Sequence, residues 1–263
     1  MKVQPWIVAF GLALVASVAT RARADHHHEM GMATEPDAPS DFGASVALVV
    51  ASFDTMNYVG DYQGVVSSVH WSHGRFAASV TVPLYRLAEN GASYLGIGDV
   101  AASGQVGLIA TPSAQLGAMA MVSAPTGDGF EGLGMGHAMA MPALYGAWGM
   151  PGLALTASFG YSRAIAHVAS DHDHGVWPLV DPMNMSELTW AASGDHPLTS
   201  ELRLGLRVSG GIPVGRLPGH ERVIGALRVA FGRGRLETAA EVQVGVVGDP
   251  FTLRGVLETA LRF

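Results

Sequence analysis

Apolar and polar residues alternate one by one through long stretches of this chain, most regularly toward its C-terminus. In 201–209, leucine or valine occupies every second position, and charged or small residues occupy the others. The same alternation runs through 237–246 and 253–263. A period of two places one set of side chains on each face of a β-strand, whereas a helix would distribute both sets around its surface. The alternation therefore predicts strands with one apolar and one polar face.

The start of the chain is typical of an exported protein. Lys2 precedes the apolar run 6–19, and the small-x-small pattern at 22–24 marks a cleavage site. We therefore expect 1–24 to be a signal peptide. Charged residues make up 14% of the chain, against roughly 25% in ordinary globular domains. An exported chain with so few charges is typical of a protein whose solvent is a membrane, here the outer membrane of a Gram-negative cell.

Two other architectures share some of these features. The stretch 138–162 carries no charge and is long enough to span a bilayer as a helix, but a Gly-Met-Pro-Gly turn signal at 149–152 interrupts it. After that turn, apolar residues return with a period of two. A soluble β-sandwich alternates in the same way. The signal peptide, the low charge, the number of strands and the C-terminal residue favour the membrane barrel.

Twelve strands can be placed along the chain. They are 43–54, 62–72, 75–87, 98–110, 115–125, 138–148, 152–164, 186–193, 199–211, 221–232, 235–247 and 252–263. Most connections after even-numbered strands are short, and those after odd-numbered strands include the longer stretches 88–97, 126–137 and 165–185. Short periplasmic turns and longer outer loops are typical of bacterial barrels with an even strand count.

The predicted fold is all-β: a transmembrane antiparallel up-and-down β-barrel of about 12 strands. Strands in a bilayer must close on themselves, because every backbone polar group needs a partner inside the structure. We assign 43–263 to the barrel and 25–42 to a periplasmic tail that carries His and Met. The chain ends on Phe263, which we place at the periplasmic interface, where aromatic girdles lie. A terminal Phe after alternating apolar residues resembles the insertion signal of bacterial outer-membrane barrels, which implies the insertion machinery as a partner.

Two short motifs narrow the resemblance. The first is "GIGDV" at 96–100 and the second is "APTGD" at 124–128. Together they resemble the outer-membrane barrel family named for the MetA pathway of phenol degradation, over roughly 94–164, although Ala124 stands where a larger aliphatic residue is expected. The resemblance implies a transporter of small, often apolar or aromatic compounds. The motif residues are Gly96, Gly98, Asp99, Pro125, Thr126, Gly127 and Asp128. Such residue types also shape loops at barrel rims.

Charged residues on the polar face of the last four strands are candidates for lining the lumen. They are Glu201, Arg203, Arg207, Arg222, Arg228, Glu237, Glu241, Arg254, Glu258 and Arg262. Mixed signs on neighbouring strands predict ion pairs that brace one wall. The alternative is selectivity for a polar or anionic solute. A barrel of this size lies between the filled eight-stranded type and the open 16-stranded type.

Histidines form two clusters outside the predicted strands. The first is His26, His27 and His28 after the cleavage site, and the second is His172 and His174 in the longest loop. Such tracts are compositional signals for metal binding, and imidazole suits copper and zinc. Cu or Zn is therefore the candidate metal, and otherwise no cofactor is expected. The alternative is that these residues are solvated polar side chains.

The function these features predict is passive passage of a small solute across the outer membrane. A metal-responsive binding or efflux-associated protein, and a structural barrel without transport, remain as alternatives. The formal net charge of −7 without a basic stripe argues against a nucleic-acid partner. We expect no enzyme: Ser68 and His70 share one strand face, but no acid or surrounding signature accompanies them. The expected partners are the lipid bilayer, the insertion machinery and the solute.

Overall fold

The computed structural model describes residues 40–54, 59–167, 180, 183–215, 220–248 and 251–263. Among these residues no α-helix has the length and hydropathy needed to cross a lipid bilayer. The described residues form thirteen strands. They are β1 (Asp41–Asp54), β2 (Val59–His73), β3 (Phe76–Glu89), β4 (Ala92–Ile97), β5 (Val100–Ala110), β6 (Ala114–Ala124), β7 (His137–Met150), β8 (Leu153–His167), β9 (Ser186–Pro197), β10 (Leu202–Pro213), β11 (Arg222–Arg233), β12 (Leu236–Val247) and β13 (Phe251–Arg262). The expected signal peptide lies outside the described residues.

The strands form one closed antiparallel sheet. Neighbours along the chain pair with each other, except that β4 and β5 both pair with β3. The last strand, β13, pairs with β1, where Leu48 lies opposite Leu257. The backbone N–H of Phe263 donates to the carbonyl of Phe42 over 2.8 Å, so the C-terminus is tied to the first strand. Twelve strands complete the circuit, and β4 is an additional strand. This confirms the predicted all-β, transmembrane up-and-down barrel of about twelve strands.

The additional strand corrects the expected loop at 88–97. Asn90 and Gly91, with φ of 47° and 89°, form a two-residue turn that reverses the chain. Asn and Gly tolerate positive φ, and the Asn-Gly pair is a strong hairpin signal. The following strand, β4, pairs with the second half of β3, and β5 pairs with the first half. A second difference lies in β9, which runs to Pro197 instead of ending at 193, so its turn falls at 198–201.

The two faces of the sheet differ as the alternation predicts. In β1, Val46, Leu48 and Val50 are 40–48% exposed, whereas Val49 and Phe53 on the opposite face are buried. Paired residues of an antiparallel sheet lie on the same face, so the pairing of Leu48 with Val65 and Leu257 extends the outer apolar surface around the barrel. The barrel therefore presents apolar side chains outward and encloses the other face.

The connections differ between the two ends of the barrel. At one end, here called the turn end, they are short: 74–75, 111–113, 151–152, 198–201 and 234–235. At the other, the loop end, they include the longer connections 125–136, 168–185 and 214–221. The C-terminus lies at the turn end, beside the first residues of β1.

Candidate functional site

Apolar side chains fill part of the barrel interior toward the loop end. This apolar cluster consists of Val49, Ala51, Phe53, Tyr62, Tyr85, Leu87, Leu133, Val180 and Phe251. The rings of Tyr62 and Tyr85 meet edge to face with centroids 5.8 Å apart. Most members stand on β1, β2, β3 and β13, on the inward face of those strands. An apolar lining therefore narrows the interior at this end.

Leu133 belongs to a loop and not to a strand. The connection 125–136 folds into the barrel, so that the Leu133 side chain is 2% exposed and packs in the apolar cluster. Gly96, opposite, leaves room for it, because a Cβ at Gly96 would lie 2.8 Å from the Leu133 Cδ1. The loop is thus a part of the interior wall that does not belong to the sheet.

The carboxylate of Asp99 holds this loop from both sides. Its Oδ1 accepts the backbone N–H of Gly127 over 3.0 Å, and its Oδ2 accepts that of Met135 over 2.8 Å. The backbone of Gly134 passes directly under it, since a Cβ there would lie 2.5 Å from Oδ1. Hydrogen bonds to an ionised carboxylate are about twice as strong as neutral ones. We call Asp99 with these N–H groups the latch.

A second pair of bonds joins the same two segments. The hydroxyl of Thr126 donates to the carbonyl of Gly98 over 2.7 Å and accepts the N–H of Val100 over 2.9 Å. The predicted motifs at 96–100 and 124–128 therefore contact each other. Pro125 is the first residue after β6, at the beginning of this loop.

Asp128 shapes the inner part of the loop. Its Oδ1 accepts the N–H groups of Phe130 and Glu131, over 2.8 and 3.2 Å, and its carbonyl accepts the N–H of Leu133 over 2.9 Å. These local bonds close the turn that directs Leu133 inward. Asp in turns acts on its own neighbourhood in this way.

Charged side chains line a different part of the interior, toward the turn end. The carboxylate of Glu237 lies 2.9 Å from Arg203, 3.5 Å from Arg228 and 3.9 Å from Arg262. We call these four residues, from β10 to β13, the charged wall. One carboxylate shared by three guanidinium groups links four consecutive strands. Glu237 therefore holds these strands together by ion pairs, and within the charged wall the three arginines outnumber the one carboxylate.

A cavity of about 190 Å³ lies between the charged wall and the apolar cluster. Its lining residues are Arg207, Ser209, Ile224, Ala226, Glu241, Gln243 and Arg254. The Arg254 Nε donates to the Gln243 Oε1 over 2.5 Å, and the Gln243 amide donates to Glu241. The Arg254 guanidinium also lies 4.4 Å from the centroid of the Phe251 ring. Arg254 therefore joins the cavity to the apolar cluster.

A buried network at the loop end contains a residue that the sequence analysis missed. Glu187 has no exposed side-chain surface and lies 2.7 Å from the Nη2 of Arg222. Its other oxygen accepts the side-chain amide of Asn184 over 2.6 Å. Gly211 makes room for it, since a Cβ there would lie 2.5 Å from the Glu187 Oε2. The sequence signal for it is the alternation in β9, which places Glu187 on the face opposite to Leu188.

Other predicted residues take separate positions. Glu201 lies in the turn before β10, where its backbone N–H donates to the Thr199 hydroxyl over 3.2 Å. Glu258 stands in β13 opposite Ala47 and Ala239. Phe263 at the turn end is 66% exposed.

The proposed metal ligands His26, His27, His28, His172 and His174 lie outside the described residues, so metal binding there stays a prediction. Within the described part of the chain, no group of three or more His, Cys, Asp or Glu side chains is placed to hold a metal ion.

Known proteins resemble this chain in structure only. No family model matches it, and no curated protein matches it. An outer-membrane channel from Pseudomonas putida F1 superposes with a TM-score of 0.67 at 11% identity, over 90% of this chain and 100% of that one. The NanC porin gives a TM-score of 0.56 at 8% identity, over 84% and 98% of the two chains. The KdgM porin, solved with disordered oligogalacturonate, gives 0.55 at 8% identity, over 84% and 99%. These likenesses show a shared barrel fold.

Proposed function

We propose that this chain is an outer-membrane channel for the passive passage of a small solute. A signal peptide at 1–24 would export it, and the turn end would face the periplasm, as the short turns of bacterial barrels do. One observation carries the proposal: the barrel has an apolar outer surface, and its enclosed face bears charges and a cavity. A barrel that served only to fill the membrane would have no need of inward-facing arginines around an open space.

The lining supports a small solute with apolar or aromatic character. The apolar cluster stands at the loop end, where a solute from outside would enter, and it contains two tyrosine rings and two phenylalanines. Apolar lining with a few placed polar groups is typical of sites for small organic molecules. The resemblance of the motifs at 96–100 and 124–128 points in the same direction.

The contacts of Ser68 and His70 do not join these two side chains as a nucleophile and its base. The Ser68 hydroxyl bonds that of Thr81 over 2.9 Å, and the His70 Nε2 lies 3.3 Å from the hydroxyl of Ser45. Each therefore serves a cross-strand contact. A nucleophile and its base would have to be within hydrogen-bond reach of each other.

Liposome swelling with the purified full-length chain tests the channel. We expect liposomes that contain the protein to swell in arabinose and in phenyl glucoside, whose sugar prevents it from crossing lipid unaided. Swelling should fall off for larger oligosaccharides, because the apolar cluster fills part of the interior. Liposomes without protein are the control. Equal swelling with and without protein for every solute would contradict the proposal and favour a structural barrel.

A further inference from the structure

The cavity beside the apolar cluster has the composition of an anion site. Two arginines, Arg207 and Arg254, and one carboxylate, Glu241, line it, which leaves one net positive charge. Its volume of about 190 Å³ is below the roughly 300–1,000 Å³ of sites for drug-sized ligands. A fitting occupant is therefore small and negatively charged.

Arg254 is fixed before any ligand arrives. Its Nε is bonded to Gln243 over 2.5 Å, its Nη1 lies 3.4 Å from the Tyr62 hydroxyl, and its Cζ lies over the Phe251 ring, 4.4 Å from the centroid. A guanidinium is a planar fork that matches the geometry of a carboxylate. Holding it in place lowers the entropy cost of binding.

Arg207 supplies the second positive charge from β10, whereas Arg254 stands on β13. Among the described residues, no carboxylate lies within 4.0 Å of it in an ion pair, although Asp195 interacts with it through space. This differs from Arg203, which Glu237 binds at 2.9 Å. Asp195 offsets part of the Arg207 charge, but no carboxylate of the described residues binds the guanidinium directly, so its N–H groups can meet an occupant of the cavity.

One part of the remaining lining, on β11, is apolar. Ile224 and Ala226 line the cavity, and Ile224 also packs against the apolar cluster. A ligand held by its carboxylate at the arginines could therefore rest its apolar part on Ile224 and on the edge of that cluster.

We infer that this cavity binds a small monocarboxylate with an apolar body, of the size of an aromatic acid. The inference rests on the proposed channel, for which it names the solute class. Glu241 opposes the anion, so its charge weakens binding and favours release, as a channel requires.

Titration calorimetry of the full-length chain in maltoside micelles tests the site, with benzoate as the probe. Benzamide keeps the ring and loses the charge, and acetate keeps the charge and loses the ring. We expect benzoate to bind more tightly than either. Equal affinity for benzamide, or no heat from benzoate, would overturn the inference.

Arg207→Gln locates the site within the barrel. We expect benzoate binding to weaken about ten-fold to hundred-fold, the usual range for a bond to a charged group. Arg86→Gln is the matched control, because Arg86 is half exposed and loosely paired with Asp61 at 3.9 Å. Benzoate binding that Arg207→Gln leaves unchanged would overturn the assignment.

Glu241→Gln provides a variant with the opposite sign. Removal of the like charge should tighten benzoate binding and leave benzamide unaffected. Glu241→Gln therefore tests the site even if Arg207→Gln fails to fold. Unchanged or weaker benzoate binding in Glu241→Gln would count against it.

Swelling assays on liposomes that contain the same purified protein separate the two proposals. Benzoate binding without swelling in any solute would overturn the channel and support the carboxylate site. Swelling without benzoate binding would support the channel and overturn the carboxylate site.

Discussion

The apolar cluster and the charged wall line the same interior and are held by different forces. Packing stabilises the cluster, and one of its members, Leu133, arrives on a loop that hydrogen bonds to Asp99 retain. Ion pairs stabilise the wall, where Glu237 links arginines on three other strands. The wall is built entirely on the sheet. The charged wall therefore consists of strand residues alone, whereas the apolar cluster includes a side chain from a loop.

The largest effect is expected at the latch. Asp99→Ala removes two bonds from a carboxylate to backbone N–H groups, each of about 1.5–3 kcal/mol, so the loop equilibrium should shift toward release by about 10²- to 10⁴-fold. The chain has no Cys, so Leu133→Cys provides a single labelling site. We expect a membrane-impermeant maleimide to label this position far faster in the Asp99→Ala background.

Asp54→Ala is the control for the latch, because Asp54 is an exposed acid at the loop end of β1. The labelling rate should stay at that of the parent chain. Equal rates in the Asp99→Ala and parent chains would show that packing alone holds the loop, and the contrast between the two regions would lose its basis.

The next effect concerns the buried pair at the loop end of β9 and β11. Glu187→Ala removes the buried carboxylate that binds Arg222, whose side chain is 14% exposed, and should lower the free energy of unfolding by about 3–5 kcal/mol. Urea titration in lipid vesicles measures this. Glu221→Ala, at an exposed acid nearby, should stay within about 0.5 kcal/mol. A similar loss of unfolding free energy in both variants would mean that the Glu187–Arg222 ion pair does not stabilise the fold.

A smaller loss is expected in the charged wall. Glu237→Gln removes the charge shared by three arginines, but Glu237 is 17% exposed and remains partly hydrated. We expect about 1–3 kcal/mol of destabilisation, below the range of a fully buried pair. The interior should also become more positive, so the reversal potential in a KCl gradient should shift toward anion preference. A shift toward cations would contradict the assignment of these side chains to the solute path.

The smallest effect is expected on the outside of the barrel. Arg86 and Asp61 lie 3.9 Å apart with half-exposed side chains. Surface pairs of this kind contribute about 0.2–1 kcal/mol. Arg86→Ala should therefore leave the free energy of unfolding, measured by urea titration, nearly unchanged. A loss as large as that of Glu237→Gln would contradict the expectation that inner ion pairs stabilise the barrel more than outer ones.

Much of the barrel could be predicted from the sequence because a period of two is a local signal. Leu202 to Val208 alternate within one strand, and the outer apolar face follows from them directly. The Asn90-Gly91 pair is also a local signal for a hairpin turn, although the strand pattern predicts a loop over 88–97. The pairing register of β10 to β13 places the charged side chains of the wall next to each other, and this register belongs to the closed sheet.

The rest depended on contacts between distant residues. Asp99 meets Gly127 across 28 positions, and Glu187 meets Arg222 across 35. Neither motif indicated that it contacts the other. Leu133 stands among glycines in a loop without periodicity, so nothing local shows that its side chain is buried in the lumen.

Single-channel recording in planar bilayers tests the central claim most directly, that the barrel interior is a solute path narrowed by the loop that carries Leu133. The account predicts small conductance steps for the parent chain and larger or more frequent steps for Asp99→Ala. An absence of steps in both, or identical steps in both, would contradict it.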